Sequence, residues 1–285
     1  MTVPKMIAIF VVLLVVNVAA MLTGLTYQLI EGAGFVGIPQ YLGWFIIPAA
    51  IDGLLIAILA VFVQVLSPSK YVGWGIIFIW FVGTIFLGNM GFSNPLYNYA
   101  SSPSVPLSDF VGAGSFWKGA ATLQFYWLCF AAILGVIAHL LWPRGTDLAV
   151  GVRLRRMRRQ ATVAPLAIAG IAALAMIGTG VYANRNISEL NRYETSDDVE
   201  AYQAAYERKY LKYESLPRPV VTRVTMDVQL FPKERKLEAA GRYELRNDGS
   251  VAIREIHVRQ ADRDAEFLKL DVAGARLASD DSKFG

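Results

Sequence analysis

The sequence predicts an α-helical polytopic membrane protein with about five transmembrane helices, followed by the start of an antiparallel β-sheet domain. Two observations lead to this fold class: the chain is almost wholly apolar up to residue 182, and it is rich in charge afterwards. Residues 1–182 contain 9 Lys and Arg and 4 Asp and Glu, whereas residues 183–285 contain 18 and 19. The charged fraction of the whole chain is 18%, below the roughly 25% that is usual for soluble domains. The chain therefore combines a membrane domain with a soluble one.

Five segments of residues 1–182 can form membrane-spanning helices, because a helix needs about 20 predominantly apolar residues to cross the hydrocarbon core. These segments are 7–30, 42–66, 71–90, 120–142 and 164–182. The first apolar run continues to Ile30 without a small-residue cleavage site after a short core. It is therefore interpreted as a retained helix rather than a cleaved signal peptide.

The distribution of Lys and Arg predicts the orientation of these helices, because cytoplasmic loops carry an excess of positive charge. Eight of the nine basic residues in 1–182 fall on one side when the N-terminus is cytoplasmic. The cluster that determines the topology lies between the fourth and fifth spans and consists of Arg153, Arg155, Arg156, Arg158 and Arg159. The segment after Tyr182 should therefore lie outside the cytoplasm.

Asp52 is the only acidic residue near the middle of a predicted span. An ionisable side chain at this depth is a candidate functional residue. The other interpretation is a protonated or paired carboxyl group facing a neighbouring helix, and we favour it because no other span offers a basic partner. Five carboxamide side chains are expected to form hydrogen bonds between helices: Asn17, Gln28, Gln64, Asn89 and Gln124.

The loop 91–119 between the third and fourth predicted spans contains three prolines and six aromatic residues. The prolines exclude a continuous helix. The aromatic side chains are unusual for a solvated linker, so the loop is expected on the outer surface, packed against the helix ends.

Residues 183–217 predict a polar connector followed by a helix. Thr195 and Asp198 match a capping box, in which the two residues satisfy each other's backbone N–H groups. The helix should then run over 197–214. Tyr202, Tyr206 and Tyr210 recur every four residues and form an aromatic stripe along one face.

Residues 218–285 change to a period of two, which is typical of strands. The segments 224–230 and 237–245 alternate apolar and polar residues, and Asn-Asp-Gly-Ser at 247–250 indicates a turn. A third strand is expected at 251–259 and a fourth at 266–272. The alternation predicts an antiparallel meander with one apolar and one solvated face.

No catalytic or metal-binding constellation is visible in the sequence. The only histidines, His139 and His257, are not part of a His-Glu-x-x-His motif, and Cys129 is the only cysteine. His257 is expected to be an ordinary surface histidine. The chain has no Walker A loop, so it should not hydrolyse ATP itself. Its basic residues in the membrane half are concentrated in one cluster, so nucleic-acid binding is not predicted.

Three stretches resemble one bacterial family: VFVQVLSPSKYVGWG at 61–75, PLYNYASSPSVPLSDFVGAGSFW at 95–117, and residues 189–249. In this family an ABC-2-type permease-like membrane region is fused to a zinc aminopeptidase of the aminopeptidase N family. The last stretch is similar to the opening strands of that family's N-terminal β-domain. The family pattern corresponds to Asp227, Leu230, Pro232, Glu234, Arg235, Leu237 and Gly241.

The resemblance implies a permease-like transmembrane domain at 1–182, a connector at 183–217 and the beginning of an aminopeptidase N-like β-domain at 218–285. It also implies a bacterial cytoplasmic membrane, peptides as substrates, and zinc in a catalytic domain beyond this chain. No catalytic residue and no cofactor site carries over to these 285 residues. The chain is accordingly expected to be a fragment, unless the peptidase is absent and only the membrane half acts.

Three functional hypotheses remain. The first is the membrane-embedded anchor and permease-like region of an extracytoplasmic zinc aminopeptidase-like protein. The second is a membrane subunit of an ABC-type transporter, which would need a second membrane half and a separate ATPase docked on 67–70 and 144–163. The third is a structural anchor whose partner is the lipid bilayer alone.

Overall fold

The computed structural model describes residues 2–32, 37–92, 94–105, 116–142, 150–190, 193–231, 234, 236–259, 265–281 and 284. The chain forms two compact units, Met1–Val199 and Glu200–Gly285. The boundary between the units falls within the segment 183–217, which the sequence assigns to the connector.

Five helices in the described part of the first unit are long and apolar enough to cross a membrane. They are α1 (Thr2–Glu31), α2 (Ile38–Leu66), α3 (Lys70–Asn89), α4 (Phe116–Leu140) and α6 (Val163–Asn184), and the shorter α5 (Val150–Gln160) precedes the last of them. This confirms the predicted number of spans. The helix α5 occupies most of the described part of the segment 144–163 between the last two spans.

The helix α2 begins four residues earlier than the sequence predicts and passes through a proline. Residues Leu42–Ile46 form a π-helical turn directly before Pro48. Proline has no N–H to donate to the carbonyl four residues earlier, and a wider turn at this point relieves the mismatch. The helix can therefore continue to Leu66 as one spanning segment.

The helices α2 and α4 form the centre of the first unit. The helix α2 contacts α1, α3 and α4, and α4 also contacts α6. The central helices are the most buried, whereas α1, α3 and α6 expose most of their apolar side chains. Exposed apolar helices of this length are stable in lipid rather than in water.

The start of α1 and the ends of α2 and α4 meet at one end of the unit. The buried residues Val61, Val65 and Leu141 pack there with Met6 of α1, and the Lys5 ammonium lies 5.0 Å from the centre of the Trp142 ring. These contacts show that neighbouring spans run in alternating directions.

The helix α5 joins the same end through a buried arginine. The Arg153 side chain is 5% exposed and its guanidinium donates a hydrogen bond to the Val65 carbonyl, while Met157 packs on the same apolar cluster. The start of α3 is also there, because Gln64 Nε2 donates to the Lys70 carbonyl over 3.2 Å. We call this end, which carries Lys5, Lys70 and Arg153, the basic end.

The predicted capping box is confirmed at the start of α7 (Ser196–Tyr210). The Thr195 N–H donates to Asp198 Oδ2 over 3.0 Å, and the Asp198 N–H donates to Thr195 Oγ1 over 3.2 Å. The helix ends in a 3₁₀ turn, Leu211–Tyr213, close to the predicted end at 214.

In the second unit the predicted tyrosine stripe packs on one aromatic residue from the end of the chain. The ring centres of Tyr202, Tyr206 and Tyr210 lie 5.1, 5.9 and 5.9 Å from that of Phe284. Phe284 is 6% exposed, so the stripe forms part of a small aromatic core.

The strands β1 (Val220–Phe231) and β2 (Lys236–Arg246) form a two-stranded antiparallel sheet. Val224 pairs with Tyr243, and Val228 pairs with Ala239. The first two predicted strands are thus confirmed, and both are longer than predicted. The apolar face of the sheet is not covered by the described residues, since Val224 and Val228 are 49% and 45% exposed.

The predicted third and fourth strands, at 251–259 and 266–272, are not formed; both segments are irregular. The side chains of the first segment contact tyrosines instead of aligning with β2. The His257 ring lies 4.4 Å from that of Tyr213, centre to centre, and the Arg259 guanidinium lies 4.4 Å from the Tyr206 ring. These contacts tie the segment to tyrosine side chains rather than to a strand. His257 itself is partly exposed, as expected of a surface histidine.

Candidate functional site

The acidic residue at the middle of α2 pairs with an amide across two helices. Asp52 lies at the midpoint of α2, and its Oδ1 accepts a hydrogen bond of 3.4 Å from Gln124 Nε2 of α4. Gln124 is 7% exposed, and Asp52 is half-buried. The pair therefore lies where the two central helices face each other.

A second polar contact lies one helical turn along the same interface. The Tyr99 hydroxyl donates a hydrogen bond of 2.8 Å to the Leu55 carbonyl of α2. Leu55 follows Asp52 by three residues, which places both on one face of α2. Tyr99 comes from the connection between α3 and α4, so this connection reaches into the helix bundle.

The connection is held in shape by local backbone contacts. The Leu96 N–H donates to the side chain of the buried Asn94 over 2.9 Å, and the Ser101 N–H donates to the Asn98 carbonyl over 3.0 Å. Ala100 adopts a φ of 62°, a left-handed conformation that is costly for a residue with a Cβ. Such a conformation persists only where the surrounding contacts impose it.

Tyr99 is surrounded by aromatic rings from two helices. Its ring centre lies 5.3 Å from that of Trp127, 5.8 Å from that of Phe130 and 6.2 Å from that of Trp80, in each case edge to face. Edge-to-face pairs add stability beyond area burial alone. Burial raises the pKa of the Tyr99 hydroxyl, so the group remains a hydrogen-bond donor at neutral pH.

The indole of Trp127 adds a buried polar atom to this site. Trp127 is 4% exposed, and its Nε1 has no hydrogen-bond partner among the described residues. Asp52, Gln124, Tyr99 and Trp127 thus place four polar groups along one apolar interface. The two hydrogen bonds among them align α2 with α4 and with the connection between α3 and α4.

Gln124 is one of five carboxamide residues that the sequence predicts to bond between helices. The predicted interhelical hydrogen bonds are confirmed for Gln28, which donates to Tyr41, and for Gln64 and Gln124. The prediction is wrong for Asn17, whose side chain donates to the Leu13 carbonyl of its own helix.

The arginines of the cluster that the sequence predicts to set the topology lie on α5 at the basic end. Arg155 is exposed and Arg153 is buried. The side chains of Arg156, Arg158 and Arg159 lie outside the described residues. The Arg153 contact to Val65 was not predicted from the charge pattern, which could not distinguish a packed arginine from a solvated one.

Two residues of the site were missed by the sequence reasoning. The sequence places Tyr99 in an aromatic loop that is expected at the helix ends. It places Trp127 within an apolar span. The aromatic richness of 91–119 was the available signal. It did not specify which ring enters the bundle, because that depends on the position of α4.

The described residues do not provide a metal site. No group of three or more His, Cys, Asp and Glu side chains lies close enough together among them to hold an ion. The family resemblance assigns zinc to a catalytic domain that is not among these residues.

Comparisons of the chain with models of known protein families, with curated proteins and with solved structures found no match.

Proposed function

We propose that this chain is the membrane-embedded anchor and permease-like region of an extracytoplasmic zinc aminopeptidase-like protein in a bacterial cytoplasmic membrane. The observation that carries the proposal is the gathering of Lys5, Lys70 and Arg153 at one end of a five-helix membrane unit. Positive charge marks the cytoplasmic side of such proteins.

The position of α6 then determines the side on which the second unit emerges. Only two residues separate the end of α5 from the start of α6, so the first residue of α6 lies at the basic end. A spanning helix that starts at the cytoplasmic face ends at the opposite face. The chain that continues into α7, β1 and β2 would therefore be extracytoplasmic.

The hairpin supports the likeness to an aminopeptidase β-domain. Asp227 and Leu230 of the family pattern lie on β1, and Leu237 and Gly241 lie on β2. A Cβ at Gly241 would approach the Thr225 carbonyl oxygen to 2.5 Å, so the close pairing of the strands requires glycine there. The pattern thus has a structural reason at this position.

Single-cysteine labelling tests the orientation. In a Cys129→Ala background, cysteines replace Gly151 of α5, Ser104 of the α3–α4 connection and Ser215 after α7; all three positions are exposed. A Cβ at Gly151 meets no atom within 4 Å. A membrane-impermeant maleimide should label S104C and S215C in intact spheroplasts, and should label G151C only after permeabilisation. Labelling of G151C alone in intact spheroplasts would reverse the topology and refute the proposal.

A separate measurement tests the link to a peptidase. The chain is captured by an affinity tag from its native bacterial membranes, and the eluate is assayed with an amino-acyl p-nitroanilide with and without a zinc chelator. Chelator-sensitive hydrolysis that elutes with the chain is expected. An eluate with no such activity above that of an untagged strain would contradict the aminopeptidase part of the proposal.

A transporter subunit is the second candidate function, and one observation favours it. The two segments expected to contact an ATPase, 67–70 and 144–163, are brought together because Arg153 of α5 hydrogen bonds to the end of α2. Leu154 and Arg155 of α5 remain exposed beside this contact.

Charge reversal at α5 tests the ATPase contact. Arg155→Glu should reduce the amount of ATPase that co-purifies with the chain. Arg185→Glu is a matched control, because Arg185 is also exposed but lies at the far end of α6. Equal recovery of ATPase with both variants, or no ATPase with the wild type, would count against this function.

A further inference from the structure

A groove lies between α4 and α6 at the end of the first unit opposite the basic end. Its volume is about 550 Å³, within the range of about 300–1,000 Å³ that is usual for ligand sites. Trp117, Lys118 and Phe125 line it from α4, and Gly178 and Tyr182 line it from α6. The two helices are in direct contact, so the groove is a local gap rather than a general separation.

Gly178 creates part of this gap. A Cβ built at Gly178 meets no atom within 4 Å, whereas a Cβ at Gly180 would lie 3.0 Å from the Tyr126 ring. The helices thus pack tightly at Gly180 and leave space at Gly178, on the groove side. The exposed ring of Phe125, 51% accessible, forms the facing wall.

The polar chemistry of the groove is concentrated at its mouth. The hydroxyls of Thr122 and Thr179 donate to carbonyls of their own helices, each over 2.7 Å. Lys118 is near the first turn of α4 and Tyr182 is near the end of α6, so both lie at the level where a spanning helix leaves the hydrocarbon core. No acidic side chain forms an ion pair with Lys118 in the described part of the chain. The groove therefore combines an apolar floor with a cationic rim.

The positive charge of this rim lies on the opposite side from the other basic residues of the membrane half. Lys118 is the single basic residue of 1–182 that does not fall on the side of the arginine cluster. Trp117 and Tyr182 flank it, and such aromatic side chains favour the headgroup level of a bilayer. The cation and the two amphipathic rings match a lipid headgroup, and the apolar floor matches an acyl chain.

We propose that this groove binds an anionic phospholipid, with the Lys118 ammonium at the phosphate and an acyl chain against Phe125 and Gly178. The anionic class is favoured because Lys118 supplies a positive charge that no acidic side chain of the described residues pairs with, and basic pockets between membrane helices recognise anionic headgroups. The inference does not depend on which side of the membrane the groove faces, so it stands or falls separately from the proposed function.

Native mass spectrometry of the purified full chain tests the site. Phosphatidylglycerol and phosphatidylcholine of identical acyl chains are titrated in competition, and bound lipid is counted per protein. The wild type should retain phosphatidylglycerol in preference to phosphatidylcholine. Lys118→Gln should weaken phosphatidylglycerol binding about fivefold, the effect of one basic residue near a membrane surface, with phosphatidylcholine binding unchanged.

Filling the groove provides the second variant. Gly178→Leu should reduce the occupancy of both lipids, because its side chain extends into the gap. Gly170→Leu is the matched control: it lies two turns earlier on α6, and its Cβ also meets no atom within 4 Å. Gly170→Leu should bind lipid as the wild type does, and the thermal unfolding of all variants is compared to confirm that they are folded.

Three results would overturn the proposal. The first is equal retention of the two lipids by the wild type. The second is unchanged phosphatidylglycerol binding in both Lys118→Gln and Gly178→Leu. The third is an equal loss of binding in Gly178→Leu and Gly170→Leu, which would show that any bulky residue on α6 disturbs lipid contacts.

Discussion

Asp52 shows how an acidic side chain is accommodated between two apolar helices. Its hydrogen bond to Gln124 joins residues that are 72 positions apart in the chain. A polar group in hydrocarbon is costly unless it is paired, so each side chain supplies the partner that the other needs. The pair therefore contributes to the alignment of α2 and α4.

Removal of one partner should show how much the pair contributes to the stability of the membrane unit. Gln124→Leu should destabilise the membrane unit by about 0.6–1.7 kcal/mol, the range for single hydrogen bonds between membrane helices, because Asp52 loses its donor. Asp52→Asn should cost less, since an amide oxygen can still accept from Gln124. Unfolding by increasing denaturant in detergent micelles measures both.

The double variant provides the control for this prediction. If Asp52 and Gln124 act as a pair, the effects of Gln124→Leu and Asp52→Leu should not add. Strictly additive effects would mean that the hydrogen bond contributes nothing. A loss of transport in Asp52→Asn at unchanged stability would instead assign the carboxyl group a functional role.

At the scale of single elements, α7 depends on its N-terminal cap. Thr195 and Asp198 exchange hydrogen bonds that satisfy N–H groups at the start of the helix. The backbone and side chain of Thr195 both hold the pKa of the Asp198 carboxyl below its ordinary value of 3.8. The ionised form of Asp198 is thus the form that stabilises the helix start.

This arrangement predicts a pH dependence with a definite sign. Because the pKa of Asp198 is depressed in the folded chain, its stabilisation is fully present above 3.8 and is lost as the pH falls further. Hydrogen exchange of the first-turn amides of α7, corrected for intrinsic rates, should rise in that acidic range. At neutral pH, Thr195→Ala should raise exchange at the same amides and Thr195→Ser should not. Equal exchange in the two variants would contradict the cap.

The hairpin of β1 and β2 is a second element with a single critical position. Both strands are exposed along almost their full length, and a two-stranded hairpin by itself is only marginally stable. Its pairing brings the backbone of Thr225 and Met226 against Gly241. A small loss of stability at Gly241 can therefore separate the two strands.

Gly241→Ala should open the hairpin, because its Cβ would lie 2.5 Å from the Thr225 carbonyl oxygen and overpacking costs about 1–3 kcal/mol. Trypsin should then cleave faster after Arg223 and Arg242. Gly249→Ala is the control, since its Cβ would come no closer than 3.3 Å to a side-chain oxygen. Unchanged cleavage in Gly241→Ala would show that the register at this position is incorrect.

At the scale of the whole molecule, charge and apolar length together make the chain a membrane protein. The first unit supplies five helices that can span a bilayer, and the cations of the described residues at their basic end are Lys5, Lys70, Arg153 and Arg155. Arg153 packs against Val65, whereas Arg155 is exposed. Packing and topology can therefore be tested separately by leaving Arg153 in place.

Replacement of Arg155, Arg156, Arg158 and Arg159 by Gln should weaken the preference for one orientation, because charges near the ends of membrane helices set the topology. The fraction of Ser215→Cys labelled in intact spheroplasts should fall. The control replaces Arg218, Arg223, Arg242 and Arg254 by Gln, which removes the same charge far from the spans. This control should leave the labelling unchanged. Equal effects of the two sets would refute the charge-based orientation.

The elements of this protein follow from local patterns in the sequence. The five spanning helices were predictable because the thickness of a bilayer sets a minimum apolar length, and each run satisfies it independently. The capping box and the first two strands were predictable because their partners lie within a few residues or on adjacent strands. The prediction of a third and a fourth strand was wrong because alternation describes only a side-chain pattern. It does not supply a neighbouring strand to form hydrogen bonds with.

The candidate site, by contrast, was decided by contacts between distant segments. Asp52 alone was identifiable from its charge and position, but its partner Gln124 was one of five carboxamides with the same expectation. Tyr99 bonds to a carbonyl 44 residues away and Arg153 to one 88 residues away. The sequence by itself determined which segments enter the membrane and where charge collects. Only the packing of α2 against α4 and α5 decided which polar groups meet, because a hydrogen bond forms only where packing brings a donor close to an acceptor.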